Sequence, residues 1–99
     1  MKATYQAILR AAKKLGPVSE EAKKTSIHLV RKTAFAGVAT RRTSLILTLK
    51  SDVDIASNRI ARREQASANR WHLEIKLEIP KQVDRELLGW LTKAYQLAA

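Results

Sequence analysis

Six arginines in the middle of the chain are the residues best suited to bind a charged partner: Arg41, Arg42, Arg59, Arg62, Arg63 and Arg70. A guanidinium presents a planar fork of donors that fits the oxygens of a phosphate or a carboxylate. Arg41 and Arg42 are consecutive at a predicted hairpin turn, from which both side chains reach the same volume of solvent. They are therefore the strongest candidates for a phosphate contact, and a solvated turn is the alternative.

The other four arginines surround Asn69 and Trp71, whose amide and indole would add polar and stacking contacts. If residues 59–66 form a strand, Arg62 and Arg63 point to opposite faces and cannot form a single patch. Trp71 is in phase with the apolar positions of the strand that follows, which favours a place in the core. These arginines indicate either an anion site or the charged protection of a sheet edge.

His72 and Glu74 lie two residues apart on a predicted strand, so they project from the same face. An imidazole and a carboxylate at this spacing can act as an acid–base pair. Strand alternation alone produces such a pair on a solvated face, so we assign no catalytic residue. His28 and His72 do not have a metal-ligand spacing, the three glycines are isolated and cysteine is absent, so we expect no metal and no cofactor.

The elements that position these residues follow from hydrophobic periodicity. Helical spacing predicts amphipathic helices over residues 3–15 and roughly 82–97, the first ended by Gly16 and Pro17. A period of two predicts strands in residues 25–30, 33–40, 44–50, 59–66 and 71–79, while residues 18–24 fit either a turn or a strand. The prediction is a single α+β domain over residues 1–99, a curved antiparallel sheet of about five strands with an N-terminal and a C-terminal helix packed on it.

The second face of this sheet is predicted to carry apolar residues as well: Val30, Ala34, Ala36, Val38 and Ile46. Monomers rarely leave such a patch open to water. One interpretation is a homodimer through this face, since two-fold pairs are the commonest oligomers. The other is that a helix or the loop at residues 51–58 crosses to this side and buries the patch.

The charge is the unusual bulk property of the chain, with 19 lysines and arginines, nine acidic residues and a net charge of +10. The excess lies in residues 1–70, because residues 71–99 carry four side chains of each sign. Such a balance draws a protein toward polyanions and makes nucleic acid a candidate partner. No stretch matches a secretory signal or a membrane span, so we expect a cytoplasmic protein without a membrane partner.

Three blocks in the C-terminal half resemble a known family: SLILTL at residues 44–49, SANRWHLEIKL at 67–77, and VDRELLGWL at 83–91 followed by Ala94 and Tyr95. In this order and spacing they resemble a bacterial domain of unknown function, the DUF5655 type, over residues 18–97. The resemblance implies a compact α+β domain in the bacterial cytoplasm. It brings no accepted reaction, cofactor or catalytic residue.

Three hypotheses about function remain open at this point. The first is a non-enzymatic binding module whose six arginines engage a polyanion, nucleic acid above all. The second is a small toxin-like ribonuclease or other enzyme, in which Arg70, His72 and Glu74 would converge with a basic residue from another strand. The third is an accessory domain that binds a protein, or itself, through the second sheet face.

Overall fold

The computed structural model describes residues 2–98. Two α-helices flank six strands, and a short 3₁₀ helix (Pro80–Gln82) precedes the second α-helix. In chain order the elements are α1 (Lys2–Leu15), β1 (Ser19–Ala22), β2 (Ile27–Val30), β3 (Ala34–Thr40), β4 (Leu45–Ser51), β5 (Ile60–Ser67), β6 (Arg70–Leu77) and α2 (Arg85–Leu97). The predicted α+β fold with a helix at each end is confirmed. Residues 1 and 99 of the predicted domain lie outside the described residues.

The six strands form one open antiparallel sheet in the order β1-β2-β3-β4-β6-β5. The strand that the prediction left undecided is β1, which pairs with β2 and has four exposed residues. With no buried side chain in β1, its hydrophobic pattern is too weak to distinguish a strand from a turn. The central pairing of β4 with β6 holds the middle of the sheet together.

The core lies between the helices and one face of the sheet, which we call the inner face. In β4 every second residue from Leu45 to Ser51 is buried, as the alternation predicts. Fully buried apolar side chains come from both layers, and burial of each leucine or isoleucine contributes about 1.5–3 kcal/mol. They include Ile8 and Ala12 of α1, Leu87, Leu91 and Ala94 of α2, and Leu47, Leu49, Leu73, Ile75 and Leu77 of the sheet.

Both helix boundaries have local causes. Gly16, with φ of 152°, and then Pro17 end α1, and the Tyr95 hydroxyl donates a hydrogen bond of 3.1 Å to the Pro17 carbonyl. The start of α2 is set by Asp84, whose carboxylate accepts a 3.1 Å bond from the Leu87 amide. Because this cap fixes the first turn, α2 begins at residue 85 rather than at residue 82.

A β-bulge in β3 changes which residues face the core. Leu29 pairs with Ala36 and Val30 pairs with Ala34, so Phe35 is an extra residue opposite β2. Phe35 is fully buried, and its ring meets the Tyr95 ring of α2 edge-on at a centroid distance of 5.3 Å. Phe35 and Ala36 therefore both belong to the inner face, because a bulge reverses the alternation.

The predicted membership of the second sheet face is corrected by this bulge. Ala36 and Val38 pair with Leu49 and Leu47, and they are buried in the core rather than lying beside Val30 and Ile46. The opposite, outer face is consequently more polar than the prediction assumed. The homodimer through this face stays a prediction, with Val30, Ala34 and Ile46 as the remaining members of the predicted apolar set.

Candidate polyanion interface

The six arginines singled out in the sequence do not form one cluster. Arg41 and Arg42 lie in the turn between β3 and β4. Arg59 directly precedes β5 and contacts Asp84, the residue before α2. The other three belong to the β5–β6 hairpin. The useful distinction is therefore between arginines already engaged within the fold and arginines that project into solvent.

Arg59 is engaged by the first turn of α2. Its Nη1 lies 2.8 Å from Asp84 Oδ1 and 3.0 Å from Glu86 Oε1, and its Nη2 donates a 2.7 Å bond to the Gln82 carbonyl. The guanidinium also lies over the Trp90 ring, 5.7 Å from its centroid. The hydrogen bond to Asp84 contributes most to raising the pKa of Arg59. This side chain joins β5 to α2 and has little capacity left for a ligand.

The hairpin arginines differ from one another. Arg63 points to the inner-face side of the sheet edge, where Nε contacts Asp54 at 2.9 Å and Nη2 donates to the Ile55 carbonyl at 3.2 Å. It fastens the loop before β5 to the sheet edge. Arg62 faces the other way, opposite Glu74, and lies 3.8 Å from Glu64. The predicted opposite orientation of Arg62 and Arg63 agrees with this register.

Arg70 begins β6 beside the hairpin tip, where Nη1 donates a 2.8 Å bond to the carbonyl of Asn69. Its strand position places it on the outer face, in phase with His72 and Glu74. Lys50 of β4 is the pairing partner of His72 and the basic residue from another strand that lies beside it, and the enzyme hypothesis stays a prediction. Trp71 is half-buried against the core, as its phase predicted.

Arg41 and Arg42 are exposed in a tight turn closed by a 2.8 Å bond from the Arg41 amide to the Ser44 carbonyl. Within residues 2–98, neither side chain forms a hydrogen bond or an ion pair. Ser44 is buried beneath them, so the turn is anchored while its two guanidinium groups extend outward.

A second basic turn lies beside this one and was not singled out as a site from the sequence. Lys23 and Lys24 connect β1 to β2 in a turn closed by a 2.7 Å bond from the Lys23 amide to the Ser26 carbonyl. Ile27 pairs with Val38 near the end of β3, so both turns lie at the same end of the sheet. We call the four basic residues of these turns the basic end: Lys23, Lys24, Arg41 and Arg42.

The electrostatics of the basic end are dominated by positive charge. Lys23 forms a 3.1 Å ion pair with Glu21, and both side chains are about half exposed. Lys24 is exposed and has no ion-pair partner in the part of the chain that the structure describes. The strand order, which sequence reasoning did not use, places the Lys23 and Lys24 turn beside the Arg41 and Arg42 turn. In an antiparallel meander the turns alternate between the two ends of the sheet, so the β1–β2 and β3–β4 turns fall at the same end and the β2–β3 turn at the other.

The remaining structural tests concern metals and membranes. Across residues 2–98, histidine and acidic side chains do not assemble in groups of three that would suit a metal ion. Neither helix has the length and apolar character needed to cross a bilayer.

Comparison with known proteins supports the sequence resemblance. The model of one protein family, DUF5655, described as a domain of unknown function, matches residues 1–98. The chain belongs to this family. The match extends the resemblance from the C-terminal blocks to α1, so the DUF5655 domain includes both helices and the whole sheet. No curated protein and no solved structure matches the chain.

Proposed function

We propose that this DUF5655 domain is a non-enzymatic binding module of the bacterial cytoplasm that engages nucleic acid through its basic end. The single observation that carries the proposal is the juxtaposition of two closed turns, each presenting two consecutive basic side chains to solvent. Arg41 and Arg42 are the principal contacts, and Lys23 and Lys24 extend the surface.

The spacing of the two turns suits a phosphate backbone. Their centres are two strand spacings apart, about 10 Å for neighbouring strands about 4.8 Å from one another. One nucleic-acid strand carries a phosphate for each ~3.4 Å of duplex axis, so the two turns span about three phosphates. Guanidinium forks at one turn and ammonium groups at the other can therefore contact phosphates about three positions apart on one strand without rearrangement of the sheet.

The engaged arginines support a separation of roles. Arg59 and Arg63 stabilise the fold through carboxylates and carbonyls, so we exclude them from the interface. Arg62 and Arg70 lie on the outer face, away from the basic end. The net charge of +10 adds long-range attraction, which accelerates encounter but does not select a partner.

The experiment is a fluorescence-anisotropy titration of labelled RNA and DNA, single- and double-stranded, over a series of salt concentrations. Each phosphate contact contributes about −0.9 to the logarithmic salt slope for duplex DNA. The variant R41Q/R42Q should therefore make the slope shallower by about 2 and weaken binding at physiological salt.

The matched control is K13Q/K14Q, which removes the same charge from the exposed last turn of α1. Equal losses in the two variants would mean that total charge alone attracts nucleic acid, which would contradict the proposed interface. Shortened RNA after incubation with the wild-type protein would favour the ribonuclease hypothesis instead.

A further inference from the structure

The outer face of the sheet contains a depression of about 420 Å³ above β3. It lies on the side opposite the helices, and it borders the basic end through Thr25 and Ser26 of the β1–β2 turn. Its polar lining comes from three strands and the turn before β2: His28 of β2, Thr48 and Lys50 of β4, His72 of β6, and Thr25 and Ser26 of the turn. These residues are not part of the proposed polyanion interface.

The depression exists because β3 presents almost no side chain to the outer face at this point. Gly37 has none, and the bulge directs Phe35 into the core against Tyr95. On either side of Gly37, its pairing partners His28 and Thr48 form the walls. The floor is completed by small residues, including Ala34 and Ala39.

The rim of the depression carries hydrogen-bond donors and a positive charge, and no acidic side chain from the described residues. Lys50 and His72 are direct partners across β4 and β6, so an ammonium and an imidazole are adjacent. The Thr48 hydroxyl lies on the same face, two residues before Lys50. None of these three side chains has a hydrogen-bonding or ionic partner among residues 2–98, and no carboxylate lines the depression. Glu74 is the pairing partner of Thr48 in β6, and Glu64 is the pairing partner of His72 in β5. Both lie further from Gly37 than the residues they pair with, and neither lines the depression.

We propose that this depression binds a small organic anion, whose oxyanion group lies between Lys50 and His72 and whose apolar body lies over Gly37 beside His28. Ammonium, imidazole and hydroxyl donors together suit carboxylate or phosphate oxygens. The volume falls within the range of about 300–1,000 Å³ that is common for small-molecule sites. Lys50 and His72 lie near the end of β4 that is remote from the Arg41 and Arg42 turn, so this proposal does not rest on nucleic-acid binding at the basic end.

Gly37 provides a sharp steric test. A Cβ added there would lie 3.7 Å from His28 Cδ2 and 3.9 Å from Thr48 Cβ, which is ordinary contact. Gly37→Ala should therefore fold normally while it fills the floor of the depression. Lys50→Gln removes the charge at the rim and keeps a side chain of similar length. Lys76→Gln is the matched control, since Lys76 is exposed on the same face but does not line the depression.

The test is an NMR titration of the ¹⁵N-labelled protein with benzoate, phenyl phosphate and, as the uncharged probe, benzyl alcohol. Benzoate or phenyl phosphate should give saturable shifts at Gly37, Thr48, Lys50 and His72, with a Kd of about 1 mM or lower, and benzyl alcohol should not. Preference between the two anions distinguishes a carboxylate ligand from a phosphate ester.

Lys50→Gln should raise the Kd of the anion about tenfold, because it removes the charge at the rim. Gly37→Ala should raise the Kd severalfold, because the added methyl group fills the floor of the depression. Lys76→Gln and R41Q/R42Q should leave the Kd unchanged. The proposal is overturned if neither anion saturates by about 10 mM, or if both site variants bind like wild type. Unchanged amide spectra outside the depression show that the variants remain folded.

Discussion

Arg59 and Asp84, 25 residues apart in sequence, form a two-point ion pair in which Nη1 lies 2.8 Å from Oδ1 and 3.1 Å from Oδ2. The same carboxylate caps α2 by accepting the Leu87 amide. The hydrogen bond from Arg59 is the main cause of the lowered pKa of Asp84, and the Leu87 amide adds to it. One side chain thus joins the start of the edge strand to the start of the C-terminal helix.

The lowered pKa of Asp84 predicts a loss of stability in acid. Because the folded state favours the ionised carboxylate, its contribution is present above the unfolded pKa of about 4 and disappears as the pH falls through the lowered folded pKa. Asp84→Asn keeps a capping oxygen but cannot ionise. We expect the Tm of the wild type to fall more steeply than that of the variant below about pH 4, measured by circular dichroism. Parallel curves would contradict this linkage.

Gly16 should be far less tolerant of substitution than Gly89. A Cβ at Gly16 would overlap the Tyr95 hydroxyl, and the φ of 152° strains any other residue. We expect Gly16→Ala to lower the free energy of unfolding by about 1–3 kcal/mol.

Gly89→Ala is the matched control for that substitution. It lies in α2, where the added Cβ would meet no heavy atom within 4 Å beyond the backbone of its own helix, and it should raise the free energy of unfolding by about 0.5–1 kcal/mol. Urea unfolding of both variants measures whether the free energy of unfolding falls for Gly16→Ala and rises for Gly89→Ala. Equal effects at the two positions would show that the contact between Gly16 and Tyr95 does not constrain the end of α1.

Phe35 should be a major stabilising residue of the core. Its ring is fully buried and meets Tyr95 at an interplanar angle of 85°. We expect Phe35→Ala to lower the free energy of unfolding by about 3–5 kcal/mol, because a large cavity remains between the sheet and α2.

Tyr95→Phe provides the comparison for this contact. It keeps the ring but loses the hydrogen bond to Pro17, for an expected loss of about 0.5–1.5 kcal/mol. Urea unfolding followed by fluorescence tests both values. A loss in Phe35→Ala no larger than that in Tyr95→Phe would show that the bulge does not depend on the buried ring.

Much of the fold is predictable because its signals are local. The alternation of β4 and β6 and the helical spacing of α1 and α2 arise from residues that are each buried against a single layer. The bulge at Phe35 is different, because Ala34 to Val38 are all apolar or small and permit either phase. Only the packing of Phe35 on Tyr95, 60 residues later in the chain, selects the phase that buries Ala36 and Val38.

The candidate site divides in the same way. The sequence by itself determined the strongly positive charge, the exposed pair Arg41 and Arg42 in a turn, and membership of the DUF5655 family. The tertiary structure decided which basic side chains remain available. It placed Lys23 and Lys24 beside that turn, and it engaged Arg59 with carboxylates at the start of α2 and Arg63 with Asp54 of the loop before β5. The physical reason is that strand order and long-range ion pairing depend on the whole sheet, whereas turn formation and hydrophobic periodicity depend on adjacent residues.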